Sequence, residues 1–466
     1  MIDRLLIFGA TGDLSGRYLL PGLAALRAAG TLPGTLELTG AGRDELDDEG
    51  FRRWAAEQLA RYGAGLPADA VDAVARSARY RQVDATDPAA VARVVAGSRP
   101  VAAYLALPPA VFPGAIRALH DAGLPPGSTV VLEKPFGESL AEAVELNRLL
   151  AETLPEEAVF RVDHFLAMST VQNILGTRLA NRLLEPIWNS ANIEEVEIVW
   201  DEMVALEGRA GYYDGVGALK DMVQNHLLQL LCLVAMEAPV RATERDLRDR
   251  KLDVLRSVRP LTERDVARRT RRARYSAGQV AGHRVPAYMD EPGVDPALGT
   301  ETFAEVVLEV DSWRWAGTAF RLRTGKALGG DRAEVAVHFR RVPHLALGQV
   351  GDAAPNVLRF GLDPPETLSL ELTGSGSGPS FRLTPLTLQA RLEPPALPAY
   401  GRVLLDVLTG DPILAIRGDE AEESWRIVAP VMEGWSRGLV PLEEYPAGSE
   451  GPGASPPGAS RGHGQR

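Results

Sequence analysis

Two stretches hold the groups on which chemistry can be built: RVDHFLAMSTVQN at 161–173 and DMVQNHLLQ at 221–229. Asp163 and His226 are a carboxylate and an imidazole, the two types that together make an oriented general base. Imidazole titrates near neutrality, and a carboxylate that accepts from one ring nitrogen fixes the tautomer that leaves the other ready to take a proton. Taken alone, a helix histidine reads as a satisfied core residue. His226 gains weight from Asn225 beside it and from the apolar helical run that follows.

A second constellation opens the chain. The apolar run RLLIF at 4–8 leads into the turn GATGDL, and a helical pattern follows from about 17 to 29, with Leu19, Leu20, Leu23 and Leu26 near one face. Glycine at Gly9 and Gly12, flanking Thr11, lets the backbone approach a pyrophosphate, and the helix start offers unpaired N–H groups. The spacing is not G-x-G-x-x-G, and a tight turn is the plain alternative. The strand before and the helix after are the context that dinucleotide binding requires. The next strand, 36–41, ends in GAGRD. An acid there suits the ribose 2′-hydroxyl of NAD and an arginine suits the 2′-phosphate of NADP. With Arg43 and Asp44 adjacent, the reading is NADP with NAD tolerated, against a surface ion pair that reads nothing.

Further apolar strands at 102–107 and 129–132, with helical stretches at 88–97 and 110–122, argue for a parallel sheet covered on both faces. After about residue 190 the strands come without long helices between them, at 193–200, 302–310, 318–323, 334–340, 356–361, 367–373 and 380–384. This pattern predicts a large, mainly antiparallel sheet, with helices at about 216–237 and 400–409. The expected fold class is therefore α/β plus α+β: a Rossmann-like domain over 1–160 and a second domain over 161–446. The Gly-, Pro- and Ser-rich segment 447–466 reads as a disordered tail. The basic cluster ARRTRRARY at 267–275 reads as a solvated face, with an anion contact as the alternative.

Length and composition bound the rest. A chain of 466 residues exceeds what one ordinary core needs. Lys+Arg 50 against Asp+Glu 62 gives −12, which argues against a non-specific nucleic-acid binder. The single cysteine, Cys232, rules out an internal disulfide and a cysteine metal cluster, and its apolar neighbours predict a buried, inert thiol. No stretch approaches the roughly 20 apolar residues of a membrane span. The start MIDRLLIF lacks the features of a signal peptide, so no membrane partner and a cytoplasmic location are expected.

The motifs GATGDL, YLALPP (104–109), EKPFG (133–137), RVDHFL (161–166), EGRAGYYD (207–214), DMVQNHLLQLLCLVAME (221–237), FRLRTGKAL (320–328) and SWRIVAP (424–430) occur in that order. In this the chain resembles the glucose-6-phosphate dehydrogenases over roughly residues 4–450. The resemblance implies that the second domain is a β+α substrate domain whose sheet forms the dimer interface, and that the protein is a homodimer or homotetramer. It implies oxidation of C1 of a sugar to a lactone, with hydride passing to the nicotinamide and no metal required. It casts His226 as the base and Asp163 as its orienting carboxylate. Lys134, His164, Glu202, Asp221 and Lys326 are cast as substrate contacts, and Lys134 reaches the cofactor as well. Gly9, Thr11, Gly12, Asp13, Leu14 and Arg43 fall at cofactor positions. Lys134–Pro135 is a candidate cis bond.

The chain also departs from that pattern. The family reads Asp-His-Tyr-Leu-Gly-Lys where this chain reads Asp163-His164-Phe165-Leu166-Ala167-Met168, so a hydroxyl and an ammonium near the phosphate are missing. After TGKAL come Gly329, Gly330 and Asp331, where the family carries Asn-Glu-Arg or similar; Arg332, Arg161 and Arg178 are candidate replacements. A hydrogen bond to a charged group contributes about 1.5–3 kcal/mol, so losing three sets an upper figure of roughly 4–9 kcal/mol. Three functions follow: oxidation of glucose 6-phosphate with a rebuilt phosphate site, the same chemistry on an unphosphorylated or modified sugar or cyclitol, and a non-catalytic nucleotide-binding regulator.

Overall fold

The computed structural model describes residues 1–345, 353–364, 366–375 and 382–453. It forms two compact units, neither continuous in sequence. Unit 1 comprises Met1–Ser169, Pro239–Asp249 and Pro395–Glu422; unit 2 comprises Thr170–Ala238, Arg250–Pro394 and Glu423–Arg466.

Unit 1 is built on six parallel strands: β1 (Arg4–Phe8), β2 (Glu37–Gly42), β3 (Arg79–Gln82), β4 (Ala102–Leu105), β5 (Thr129–Glu133) and β6 (Val159–Val162). Their order is β3-β2-β1-β4-β5-β6, the doubly wound dinucleotide-binding order. The central strands β1 and β4 are apolar and buried almost throughout, as a sheet covered on both faces requires. The core joins Leu5, Ile7, Leu23, Leu26, Phe51, Tyr104 and Val131. The helix Ala399–Thr409, expected with the second domain, adds Tyr400, Val403, Leu404 and Val407 to this core instead. Its approach is close: a Cβ on Gly22 would lie 3.1 Å from the Gly401 nitrogen.

Unit 2 carries a nine-stranded sheet of β7 (Ile193–Asp201), β8 (Thr270–Ser276), β11 (Phe303–Glu309), β12 (Ala319–Gly325), β13 (Arg332–Phe339), β14 (Val357–Gly361), β15 (Thr367–Ser375), β16 (Leu383–Arg391) and β17 (Leu442–Pro446). A separate hairpin is made by β9 (Gly278–Val280) and β10 (His283–Val285). The sheet order is β16-β15-β14-β13-β7-β12-β11-β8-β17. It is mainly antiparallel, as expected, with β7–β12 and β8–β17 parallel.

The basic cluster at 267–275 is a solvated face only in part: Ala267 and Arg268 are exposed, and most of the rest is built into the sheet. Most of it is β8, whose alternation buries Ala273 and Tyr275 while its arginines pair along the sheet. Arg271 meets Glu443 at 2.7 Å and Arg274 meets Glu444 at 3.4 Å. The first residues of the segment expected as a tail are ordered. Gly329 N donates to Ser449 O at 2.9 Å, Gly448 N to Ala327 O at 2.8 Å, and Arg271 Nη1 to Gly453 O at 2.7 Å. Backbone acceptors thus hold 447–453 although the composition is poor in apolar side chains; 454–466 lie outside the described residues, as do 380–381 of the strand expected at 380–384.

Candidate active site

Every proposed site residue of unit 1 lies at the C-terminal end of a strand, where an open α/β sheet presents its ligands. Gly9 follows β1 at φ +77°, and a Cβ there would sit 2.1 Å from the Ala106 carbonyl oxygen, so only glycine fits. Gly9, Thr11, Gly12 and Arg43 line one cleft of about 380 Å³ with Asp84, Thr86 and Leu107. Thr11 Oγ1 donates to Asp44 Oδ2 at 2.5 Å, which turns the acid toward the glycine turn and leaves the Arg43 side chain exposed at the rim. Asp13 and Leu14 do not line this cleft. Asp13 pairs with Arg17 at 3.7 Å and Leu14 packs on the core, so neither side chain is part of the cleft wall. The cleft, its glycine wall and its arginine fit a phosphorylated dinucleotide.

Lys134 follows β5, and its bond to Pro135 is cis. The preceding Glu133 accepts from Tyr104 Oη at 2.5 Å and from Tyr400 Oη at 3.4 Å. Burial lifts its carboxyl to about 7, against the pull of the two phenols and of Lys134. Asp163 and His164 follow β6. Asp163 Oδ1 accepts from Phe165 N at 2.9 Å, an Asx turn that fixes its carboxylate. The His164 ring stacks on Tyr400 at 5.5 Å and meets Phe165 edge-on at 5.0 Å; Tyr18 stacks on the same Tyr400 at 5.0 Å.

In unit 2 the parallel pairing of β7 with β12 sets Asp201 opposite Gly325, so the residues that follow, Glu202 and Lys326, emerge on the same side. Lys326 Nζ lies 2.5 Å from Glu202 Oε2 and 5.4 Å from the centre of the Tyr213 ring. Asp221 and His226 share one π-helical segment, Leu219–Leu227, with His226 buried. Widened helical turns of this kind occur often at functional sites. Tyr212 Oη donates to Asp221 Oδ1 at 3.3 Å.

The three arginines considered as replacement phosphate holders are otherwise engaged. Arg161 is buried and donates to Glu156 and to Asn147, each at 2.7 Å. Arg178 is buried, donates to the Leu233 and Val234 carbonyls at 3.0 Å and pairs with Glu185. Arg332 sits between Glu197 at 3.0 Å and Glu334 at 2.6 Å. Sequence reasoning passed over Tyr104, Glu133, Tyr400 and Tyr213. Tyr104, Glu133 and Tyr213 lie inside motifs already noted, whereas Tyr400 carries no local signal.

Unit 1 thus has the strand order and phosphate-ready cleft of a nucleotide-dependent oxidoreductase. The family comparison narrows that class. Residues 6–173 match the model of the glucose-6-phosphate dehydrogenase NAD binding domain, and 175–462 match that of the C-terminal domain. The chain belongs to the glucose-6-phosphate dehydrogenase family. A glucose-6-phosphate 1-dehydrogenase of Zymomonas mobilis is 39% identical over 467 residues, spanning 97% of this chain and 96% of that protein. One of Treponema pallidum is 40% identical over 475 residues, spanning 97% and 92%. A solved glucose-6-phosphate dehydrogenase in complex with its substrate glucose-6-phosphate superposes with a TM-score of 0.88 at 28% identity, over 97% of this chain and 96% of that one. Membership in a family of oxidoreductases sets aside the non-catalytic reading. Among the described residues no helix is long and apolar enough to cross a membrane.

Proposed function

We propose that the protein oxidises C1 of glucose 6-phosphate to the lactone with NADP as hydride acceptor, NAD being the weaker alternative. The observation that carries the reading is the side-by-side emergence of Glu202 and Lys326 from β7 and β12, in the unit whose π-helical segment holds Asp221 and His226. A carboxylate beside an ammonium suits a polyhydroxylated anion: the acid accepts from sugar hydroxyls and the cation meets the phosphate side.

His226 takes the proton of the C1 hydroxyl, and Asp163 is the carboxylate that orients it and stabilises the imidazolium formed. Glu202 and Asp221 accept from hydroxyls. Lys326 and His164 face the phosphate, and Lys134 serves substrate and nucleotide. Bound NADP supplies the hydride acceptor. The cleft residues Gly9, Thr11, Gly12 and Arg43 hold its pyrophosphate and 2′-phosphate, with the backbone at Asp13 and Leu14 contributing N–H groups.

A specific observation favours a second reading, oxidation of an unphosphorylated or modified sugar. Phe165 and Met168 offer no charge, and Arg161, Arg178 and Arg332 are committed to other partners. Initial rates of NADP and NAD reduction with glucose 6-phosphate, glucose and other hexoses separate the two. Turnover confined to the phosphate ester supports the first; equal or better turnover of a free sugar selects the second. The exposed edge strand β16, with Leu386 and Leu388 half exposed, supports a homodimer or homotetramer, which light scattering measures. A cytoplasmic location and the absence of a nucleic-acid partner accord with the composition.

A further inference from the structure

We infer that Glu301 is a positioning residue for the reaction, setting the start of the helical segment that carries Asp221 and His226. The inference rests on the reading of those two side chains as sugar contact and base.

The segment Leu219–Leu227 begins without help from its own N-cap, Ala218, whose side chain has no oxygen to offer. The first N–H groups of any helix need acceptors from elsewhere. Glu301 supplies two from a loop far along the chain. Its Oε1 accepts from Leu219 N at 3.0 Å and its carbonyl accepts from Ala218 N at 3.1 Å. The same carbonyl accepts from Tyr213 Oη at 3.4 Å, and the Tyr213 ring is the one that Lys326 Nζ approaches at 5.4 Å. One residue therefore touches both the helix start and the support beneath the Glu202–Lys326 pair.

The fit admits little slack. Gly217 has φ +72°, and a Cβ there would lie 2.4 Å from Glu301 Oε1. The approach to the helix is fastened to the same loop by a second acid: Asp214 accepts from Tyr288 Oη, Thr300 Oγ1 and Asp295 N, each at 2.7 Å, while Gly215 N donates to Thr300 Oγ1 at 2.9 Å.

Helices are commonly capped by a Ser, Thr or Asp of their own at the N-cap. Here a carboxylate that is 9% exposed does the work, although burying such a group is costly. Arg272, stacked over Trp435 at 5.7 Å, and Lys220 offset part of that cost and line a cavity of about 190 Å³ beside the carboxylate. A local cap would hold only the helix; a cap from the loop at 301 ties the register of Asp221 and His226 to the Lys326 side of the site.

The test compares Glu301→Leu with Glu301→Gln in the full chain. Gln keeps an acceptor oxygen of the same reach; Leu removes it. Glu301→Leu is expected to lower kcat about a hundredfold, the scale on which a displacement of about 1 Å acts, and to raise the KM for the sugar. The NADP KM, set in the other unit, stays unchanged, and Glu301→Gln recovers most of the loss. Wild-type kinetics in Glu301→Leu, or equal damage in both variants, would overturn the inference. Should Glu301→Leu fail to fold, Gly217→Ala displaces the carboxylate without deleting it. The same split between kcat and nucleotide KM is expected, and wild-type kinetics there would equally overturn it. His226→Ala is assayed beside them. An active His226→Ala removes the base reading and the positioning role together, whereas an inactive His226→Ala next to an unaffected Glu301→Leu removes the positioning role alone.

Discussion

Lys326 Nζ and Glu202 Oε2 lie 2.5 Å apart although 124 residues separate them in sequence. Their meeting follows from one feature of the sheet: β7 and β12 run parallel and in register, so each residue just past a strand end finds the other. The pair is largely enclosed, with the lysine side chain 10% and the glutamate 30% exposed. Lys326→Met removes a charge-assisted contact worth about 1.5–3 kcal/mol, so the KM for glucose 6-phosphate is expected to rise about 10–150-fold. Steady-state kinetics check this; an unchanged KM would take Lys326 out of the substrate site.

His226→Ala removes the proposed base. The expected loss in kcat is about 10²–10⁴-fold, the usual yield of general-base catalysis. NADP affinity, measured by fluorescence titration, should not change. Asp163→Asn should lower kcat in the same sense by disturbing the imidazole's tautomer.

Met168→Lys restores a cation where the family carries one. With Arg161 and Arg178 buried in other ion pairs, the new ammonium has no rival in them, and the KM for glucose 6-phosphate should fall about tenfold, equivalent to about 1.4 kcal/mol. No change in KM or kcat would mean that the pocket has been rebuilt beyond this position.

Arg43 stands exposed at the cleft rim while Asp44 is held by Thr11. Arg43→Ala should raise the NADP KM about tenfold or more through loss of a charged contact to the 2′-phosphate, and leave the NAD KM near its starting value. An equal effect on both nucleotides would assign the arginine to the pyrophosphate instead.

Glu197 predicts the acid limb of stability. The His338 imidazole at 3.4 Å and Arg332 at 3.0 Å hold its carboxyl at about 2, below the ordinary 4.5. A depressed carboxylate contributes stability that is present above the ordinary value and is lost as pH falls toward 2. Glu197→Gln should therefore cost about 3 kcal/mol at neutral pH and flatten the pH dependence between 4.5 and 2, read from urea unfolding. An unaltered acid limb would show that these neighbours do not hold the charge.

Much of this architecture was legible in the sequence, for identifiable reasons. The buried parallel strands β1, β4 and β5 are short apolar runs closed by turns, and the glycine turn declares itself because backbone must pass close to the Ala106 carbonyl. Strand β8 hid because its three arginines looked like a solvated face, whereas Glu443, Glu444 and backbone oxygens take up all three. The helix Ala399–Thr409 was visible as a helix, but its stripe of Tyr400, Val403, Leu404 and Val407 names no partner; the glycines at 22 and 401 decide that it packs in unit 1. The roles of His226 and Asp163 came from motif order, since spacing alone does not join residues on separate units. Glu301 was invisible, because a glutamate in a loop shows its use only when the helix start it caps is folded against it.

The most direct test uses glucose 6-phosphate carrying deuterium at C1. Deuterium should appear in the nicotinamide ring of NADPH in step with the lactone formed, and the rate of both should fall about 10²–10⁴-fold in His226→Ala. NADPH without deuterium, or label released to water, would contradict hydride transfer from C1.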